Sequence, residues 1–113
     1  MIVGIGTDIV ENSRFEALPD GFLRKLFTAC EIADAEKRTD KAEYFASRFA
    51  AKEAVSKALG TGFRGLSILD IEIHEDDAGK PFPVVNGFNE YRFHLSISHE
   101  TSYSVAMVVV ENA

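Results

Sequence analysis

The sequence has no tryptophan, a single cysteine, three prolines and no excess of basic charge across its 113 residues. Each shortage excludes something. A lone Cys30 cannot close an intrachain disulfide, which argues against a disulfide-stapled secreted scaffold and fits a reducing cytoplasm. A net charge of −6 argues against broad nucleic-acid binding, which needs a basic surface. No apolar run approaches the roughly 20 residues that span a membrane. The start, from Met1 to Gly6, lacks the basic region and cleavage site of a secretory signal. With no linker, repeat or low-complexity stretch, residues 1–113 read as a single domain, large enough to bury about two thirds of its unfolded surface.

What is present is organised around one stretch, Tyr44 to Gly60. Asp40 and Glu43 have the spacing of a capping box at its start, its interior is rich in Ala, Lys and Glu, and Gly60 is placed to end it. Counted in fours, Phe45, Phe49, Glu53 and Lys57 fall in one row on one face. A carboxylate and an ammonium thus share a stripe with two aromatic rings. Two readings are open: an ordinary surface ion pair worth about 0.3–0.5 kcal/mol, or charges directed at a ligand.

Before this helix, residues 1–10 read as a strand with Gly4, Gly6 and Asp8 on one side, the two glycines clearing room for another backbone or a ligand. A dinucleotide fingerprint is excluded because position 9 is Ile. Ser13 with Glu16 and Thr28 with Glu31 have capping-box spacing, predicting a short helix through Leu18 and another reaching about Arg38. Arg14 sits in the first turn of the former, an unfavourable place for a cation; it is either an exposed side chain with no role or one that serves a partner.

After the glycine-rich run from Gly60 to Gly65, which lacks the Lys-Ser/Thr of a P-loop, the pattern turns extended. Residues 68–74 alternate, Asp76 to Lys80 make a turn, and Pro81 to Val85 return as a proline-limited edge strand. In the strand Phe93 to His99, Phe93, Leu95, Ile97 and His99 share the face that covers the main helix. Ser104 to Val110 is apolar enough to predict a strand buried on both faces. The whole is α+β, a small antiparallel sheet packed on a long central helix, with additional N-terminal helices. This arrangement draws Asp8, Glu53, Lys57 and His99 toward one cluster, although His99 also fits a packing role. Two carboxylates with a Lys and a His beside them suit Mg²⁺ and a polyphosphate.

The segments Gly4 to Glu11, Arg48 to Gly62, Asp70 to Ile73, Gly79 to Pro81 and His94 to His99 together resemble the short, single-domain class of 4′-phosphopantetheinyl transferases, the holo-acyl-carrier-protein synthases. The resemblance runs from end to end, and the early Gly-x-Asp, the Phe-x-x-Lys-Glu-x-x-x-Lys helix and the late Ser-x-Ser-His occur in the family's order. It implies transfer of the phosphopantetheine arm of coenzyme A to a serine of apo acyl carrier protein, releasing 3′,5′-ADP, in support of fatty acid biosynthesis. It further implies Asp8 and Glu53 as ligands of Mg²⁺, and Lys57 and His99 as catalytic contacts to the phosphates. Arg48, Phe49, Lys52, Gly60, Thr61 and Gly62, with Lys57 and His99, match the coenzyme A site, and Arg14 matches a contact to the carrier protein. The family is typically a homotrimer with active sites between subunits. Between Pro81 and His94 this chain is shorter than many relatives. The alternative is a non-catalytic module that binds a carrier protein or coenzyme A.

Overall fold

The structure, a computed structural model, describes residues 1–60 and 65–112. Thr61 and Gly62, expected at the coenzyme A site, lie outside the described residues. In chain order the elements are β1 (Ile2–Glu11), a 3-10 turn (Asn12–Phe15), α1 (Asp20–Leu26), α2 (Ala29–Ala35) and α3 (Lys41–Leu59). A second 3-10 turn (Ile68–Asp70) leads into β2 (Ile71–Glu75), β3 (Pro81–Val85), β4 (Tyr91–His99) and β5 (Tyr103–Asn112). Strands β1, β5 and β4 form one antiparallel sheet with β5 in the middle, and β2 with β3 forms a separate hairpin.

Helix α3 is the spine. The Asp40 side chain accepts the Glu43 N–H, and Gly60 ends the helix in the left-handed region at φ 73°, where a side chain would be strained. The reciprocal half of the expected capping box is not made, because the Glu43 carboxylate faces His99 instead. The helix is buried nearly all round: Ala46, Ala50, Ala51, Ala54 and Val55 are inaccessible, as are Ser47 and Lys52. Its small residues let the sheet approach on one side while the β2–β3 hairpin and α2 close the other. The row Phe45, Phe49, Glu53, Lys57 runs from a buried ring to an exposed ammonium, so it leaves the core along the helix axis.

Three expectations are corrected. The Ser13–Glu16 capping box does not form; the chain makes a 3-10 turn with no side-chain cap, held instead by Asn12, which donates to the carbonyls of Glu100 and Thr101. Helix α2 stops at Ala35 rather than near Arg38, although its Thr28–Glu31 capping box is complete. Strand β5 is buried on one face only: Ser104, Ala106, Val108 and Val110 face α3, while Met107 on the other face is half exposed. The apolar count of β5 is high because both faces carry Val and Met, and its outer face continues across β1 through Val3, Ile5 and Ile9, all largely exposed.

Candidate active site

The site begins with two glycines. A Cβ placed on Gly4 would fall on the carbonyl oxygen of Ala58, and one on Gly6 on that of Ala54. Strand β1 therefore lies against the α3 backbone itself, the close approach that the two glycines predicted. Two residues on, on the same face of β1, Asp8 projects beside the last turns of α3. Its Oδ1 accepts from Lys57 Nζ at 3.0 Å, and Lys57 also donates to the Thr7 carbonyl at 2.9 Å.

Glu53, one turn before Lys57, is half-buried in the same corner. Burial, and next the Asp8 charge, push its carboxyl above the ordinary range, opposed by Lys57 and Arg14. Lys57 is thus bonded to Asp8 rather than paired with Glu53, and the surface-pair reading of the helix row falls away. With the Asp8 charge close enough to raise the Glu53 carboxyl, the two side chains form a hard, all-oxygen donor set that a divalent cation of the Mg²⁺ type would stabilise. Arg14 belongs to the same corner: its guanidinium lies 5.6 Å from the Phe49 ring centre, within electrostatic reach of Glu53. The sequence suggested a partner for Arg14 but gave no signal of this proximity, which depends on Asn12 tethering the turn to the end of the sheet.

His99 is not part of this cluster within one chain. It lies at the exposed end of β4, with Nε2 3.3 Å from Glu43 Oε1 at the start of α3. Glu43 and Glu53 are ten residues apart on one helix, about 15 Å along its axis. The register explains the separation. Asp8 sits opposite Ala106, whereas His99 lies opposite Ser104, level with Val10, two residues farther toward the other end of the sheet.

Of the residues matched to coenzyme A, Lys52 lies deepest. It is fully buried, its Nζ 2.6 Å from Glu31 Oε1 and donating to the Leu26 carbonyl at 2.9 Å. Burial lowers its pKa, with the Glu31 charge opposing. The sequence signal for this pair was present but read as a helix cap: Glu31 closes the Thr28 box with one oxygen and accepts the Ile73 N–H with the other. Arg48 is likewise mostly buried, stacked 4.3 Å from the Tyr44 ring centre and paired with Glu75 at 2.8 Å. Phe49 reaches the surface in a cavity of about 290 Å³ lined by Arg14, Phe15, Leu18, Phe22 and Leu26. Gly60 is exposed at the helix end beside Lys57.

Known proteins provide the remaining test. A model of the 4′-phosphopantetheinyl transferase superfamily matches residues 4–108. A holo-[acyl-carrier-protein] synthase from Clostridium acetobutylicum is 48% identical, the match covering 98% of each chain. Among solved structures, the chain is similar to the holo-(acyl-carrier-protein) synthase of Bacillus anthracis in complex with CoA (3′,5′-ADP). That likeness has a TM-score of 0.91 and 46% identity, and covers 100% of this chain and 99% of that one. The Helicobacter pylori synthase in complex with coenzyme A gives a TM-score of 0.83 at 33% identity, covering 95% of this chain and 99% of that one. The α+β architecture is that of these enzymes, and the chain belongs to the 4′-phosphopantetheinyl transferase superfamily.

Proposed function

We propose that this protein, as one catalytic domain spanning residues 1–113, transfers the 4′-phosphopantetheine arm of coenzyme A to a serine hydroxyl of apo acyl carrier protein, releasing 3′,5′-ADP. The observation that carries the reading is the corner where β1 crosses α3. There Asp8, Glu53 and Lys57 converge in a chain similar over its whole length to synthases solved with coenzyme A or its 3′,5′-ADP part. Transfer of a phosphoryl-linked group needs alignment and charge neutralisation more than covalent help. Asp8 and Glu53 would hold Mg²⁺, which supplies positive charge against the pyrophosphate when bound. Lys57, whose exposed ammonium lies beside Asp8, would present its charge to a phosphate oxygen. Arg14, at the mouth of the apolar cavity beside Phe49, presents a cation to an acidic carrier protein. Such a reaction belongs in the cytoplasm, in service of fatty acid synthesis.

The separation of His99 from Glu53 supports a site completed by a second copy, and the open apolar face of the sheet supports assembly into a homotrimer. The test is direct. Apo carrier protein, coenzyme A and Mg²⁺ should yield a phosphopantetheinylated carrier seen by mass spectrometry. Asp8→Ala and Glu53→Ala should each lose the product while keeping the wild-type circular dichroism spectrum. Carrier binding without product at saturating Mg²⁺ would overturn the reading, and full turnover in either variant would overturn the ligand assignment.

A further inference from the structure

The face of the molecule formed by α2 and β2, elements that carry neither Asp8 nor Glu53, holds a second group of ligating side chains. Cys30 lies in the first turn of α2, and Glu72 and His74 stand two residues apart on the outer face of β2. One donor atom from each lies within 4.8 Å of the others. We propose that Cys30, Glu72 and His74 form a binding site for a thiolate-seeking divalent cation of the zinc class.

The donor set selects the metal. Sulfur and imidazole favour Zn²⁺ and its neighbours over Mg²⁺, which prefers oxygen ligands in an octahedron. Tetrahedral zinc with Zn–S near 2.3 Å and Zn–N near 2.0–2.1 Å separates its donors by about 3.5 Å. The thiol sulfur, exposed and free to rotate, therefore has at most about 1 Å to close, while the Glu72–His74 pair, now at 2.7 Å, opens by somewhat less than about 1 Å.

The surroundings are already arranged for such an ion. The Thr28 hydroxyl donates to Glu72 Oε2, leaving Oε1 as the oxygen that faces His74 Nε2 at 2.7 Å. A bound cation would replace that hydrogen bond, taking both atoms as ligands, while Thr28 keeps the carboxylate oriented. The His74 ring is held in plane by stacking on Phe82, with centroids 5.7 Å apart and an angle of 24°. Three protein donors at the edge of a cleft of about 390 Å³, lined in part by Cys30 and His74, leave a fourth position for water or an added ligand. Binding converts the Cys30 thiol to a metal-bound thiolate and releases its proton to solvent. The ion would tie the start of α2 to β2, beside the buried Lys52–Glu31 pair.

The experiment uses the full-length protein with Mg²⁺ in excess, so that the Asp8–Glu53 corner does not compete. Because Cys30 is the only cysteine, its alkylation by iodoacetamide reports this site alone. Zn²⁺ at one equivalent should slow alkylation at least tenfold, with EDTA restoring the rate, and should raise the melting temperature. Co²⁺ should give a thiolate-to-metal charge-transfer band that Cys30→Ser removes. His74→Gln and Glu72→Gln should each weaken Zn²⁺ protection tenfold or more. Cys30→Ala, an exposed change that spares the fold, should lose the thermal shift. An alkylation rate indifferent to Zn²⁺, or protection unchanged in both His74→Gln and Glu72→Gln, would overturn the proposal.

Discussion

Gly6→Ala is the most informative single-atom perturbation of this structure. The added Cβ would meet the carbonyl oxygen of Ala54 and lie 2.7 Å from the Ala58 amide nitrogen. Both are backbone atoms inside a helix, so no rotamer change relieves the clash; either β1 or α3 must move as a body. Overpacking of this kind costs about 1–3 kcal/mol, and a backbone obstacle places Gly6 at the upper end, about 3 kcal/mol. At roughly 4 °C per kcal/mol for a domain of this size, the melting temperature should fall by about 12 °C. Any displacement of β1 also carries Asp8 away from Lys57 and Glu53. A misplacement near 1 Å costs on the order of 100-fold in rate, so kcat/KM in the carrier-modification assay should fall that far at temperatures where the variant is folded. Ala54→Gly in the same chain should give no rescue, because the obstacle is the carbonyl and not the alanine methyl. Gly21→Ala is the control: it lies in α1 with nothing within 4 Å of the new methyl, and should be neutral or slightly stabilising. A Gly6→Ala protein with wild-type stability and turnover would refute the claim that β1–α3 contact builds the site.

Three further outcomes are expected. Glu53 has a raised folded-state pKa, so its contribution is fully present below the unfolded value near 4.5 and is lost as pH rises through the folded value. Glu53→Gln should therefore match the wild type in urea denaturation at acid pH and exceed it at neutral pH, and Mg²⁺ should narrow the gap by stabilising only the wild type; a constant gap across pH would refute the coupling. Lys52→Ala strands the buried Glu31 carboxylate and should cost about 3–5 kcal/mol in chemical denaturation, with Glu31→Gln in the same chain recovering part of it. Ile5→Glu, on the open sheet face, should shift the mass seen by light scattering toward the monomer while leaving the circular dichroism spectrum intact.

Much of the site was legible before the fold because local spacing encodes it. The helix from 41 to 59, its Asp40 start and its Gly60 stop follow from capping chemistry and residue propensity. Gly4 and Gly6 announced a close approach on the face that carries Asp8, and the helical row put the Glu53 carboxylate and Lys57 ammonium on one stripe with two aromatic rings. What was not legible shares one cause, contact between distant elements. Lys52 and Arg48 were matched to the coenzyme A site through the family motif, which carries no sign that each is held inside by an acid from a distant element, Glu31 and Glu75. Strand β5 was taken as doubly buried because apolar content does not reveal whether a second layer covers the far face.

By itself, then, the sequence determined what is set within a few residues: the strand–helix order, the turns, the glycine clearance and the family motif from Gly4 to His99. Only the tertiary structure decided which charges meet. Lys57 bonds Asp8 across 49 positions rather than Glu53 four away, because the glycine-lined crossing brings β1 nearer to that ammonium than its own helix neighbour. His99 is drawn to Glu43 and away from Glu53 because the sheet register holds the end of β4 against the opposite end of the helix. Periodicity assigns a face, and register and crossing angle assign the neighbour.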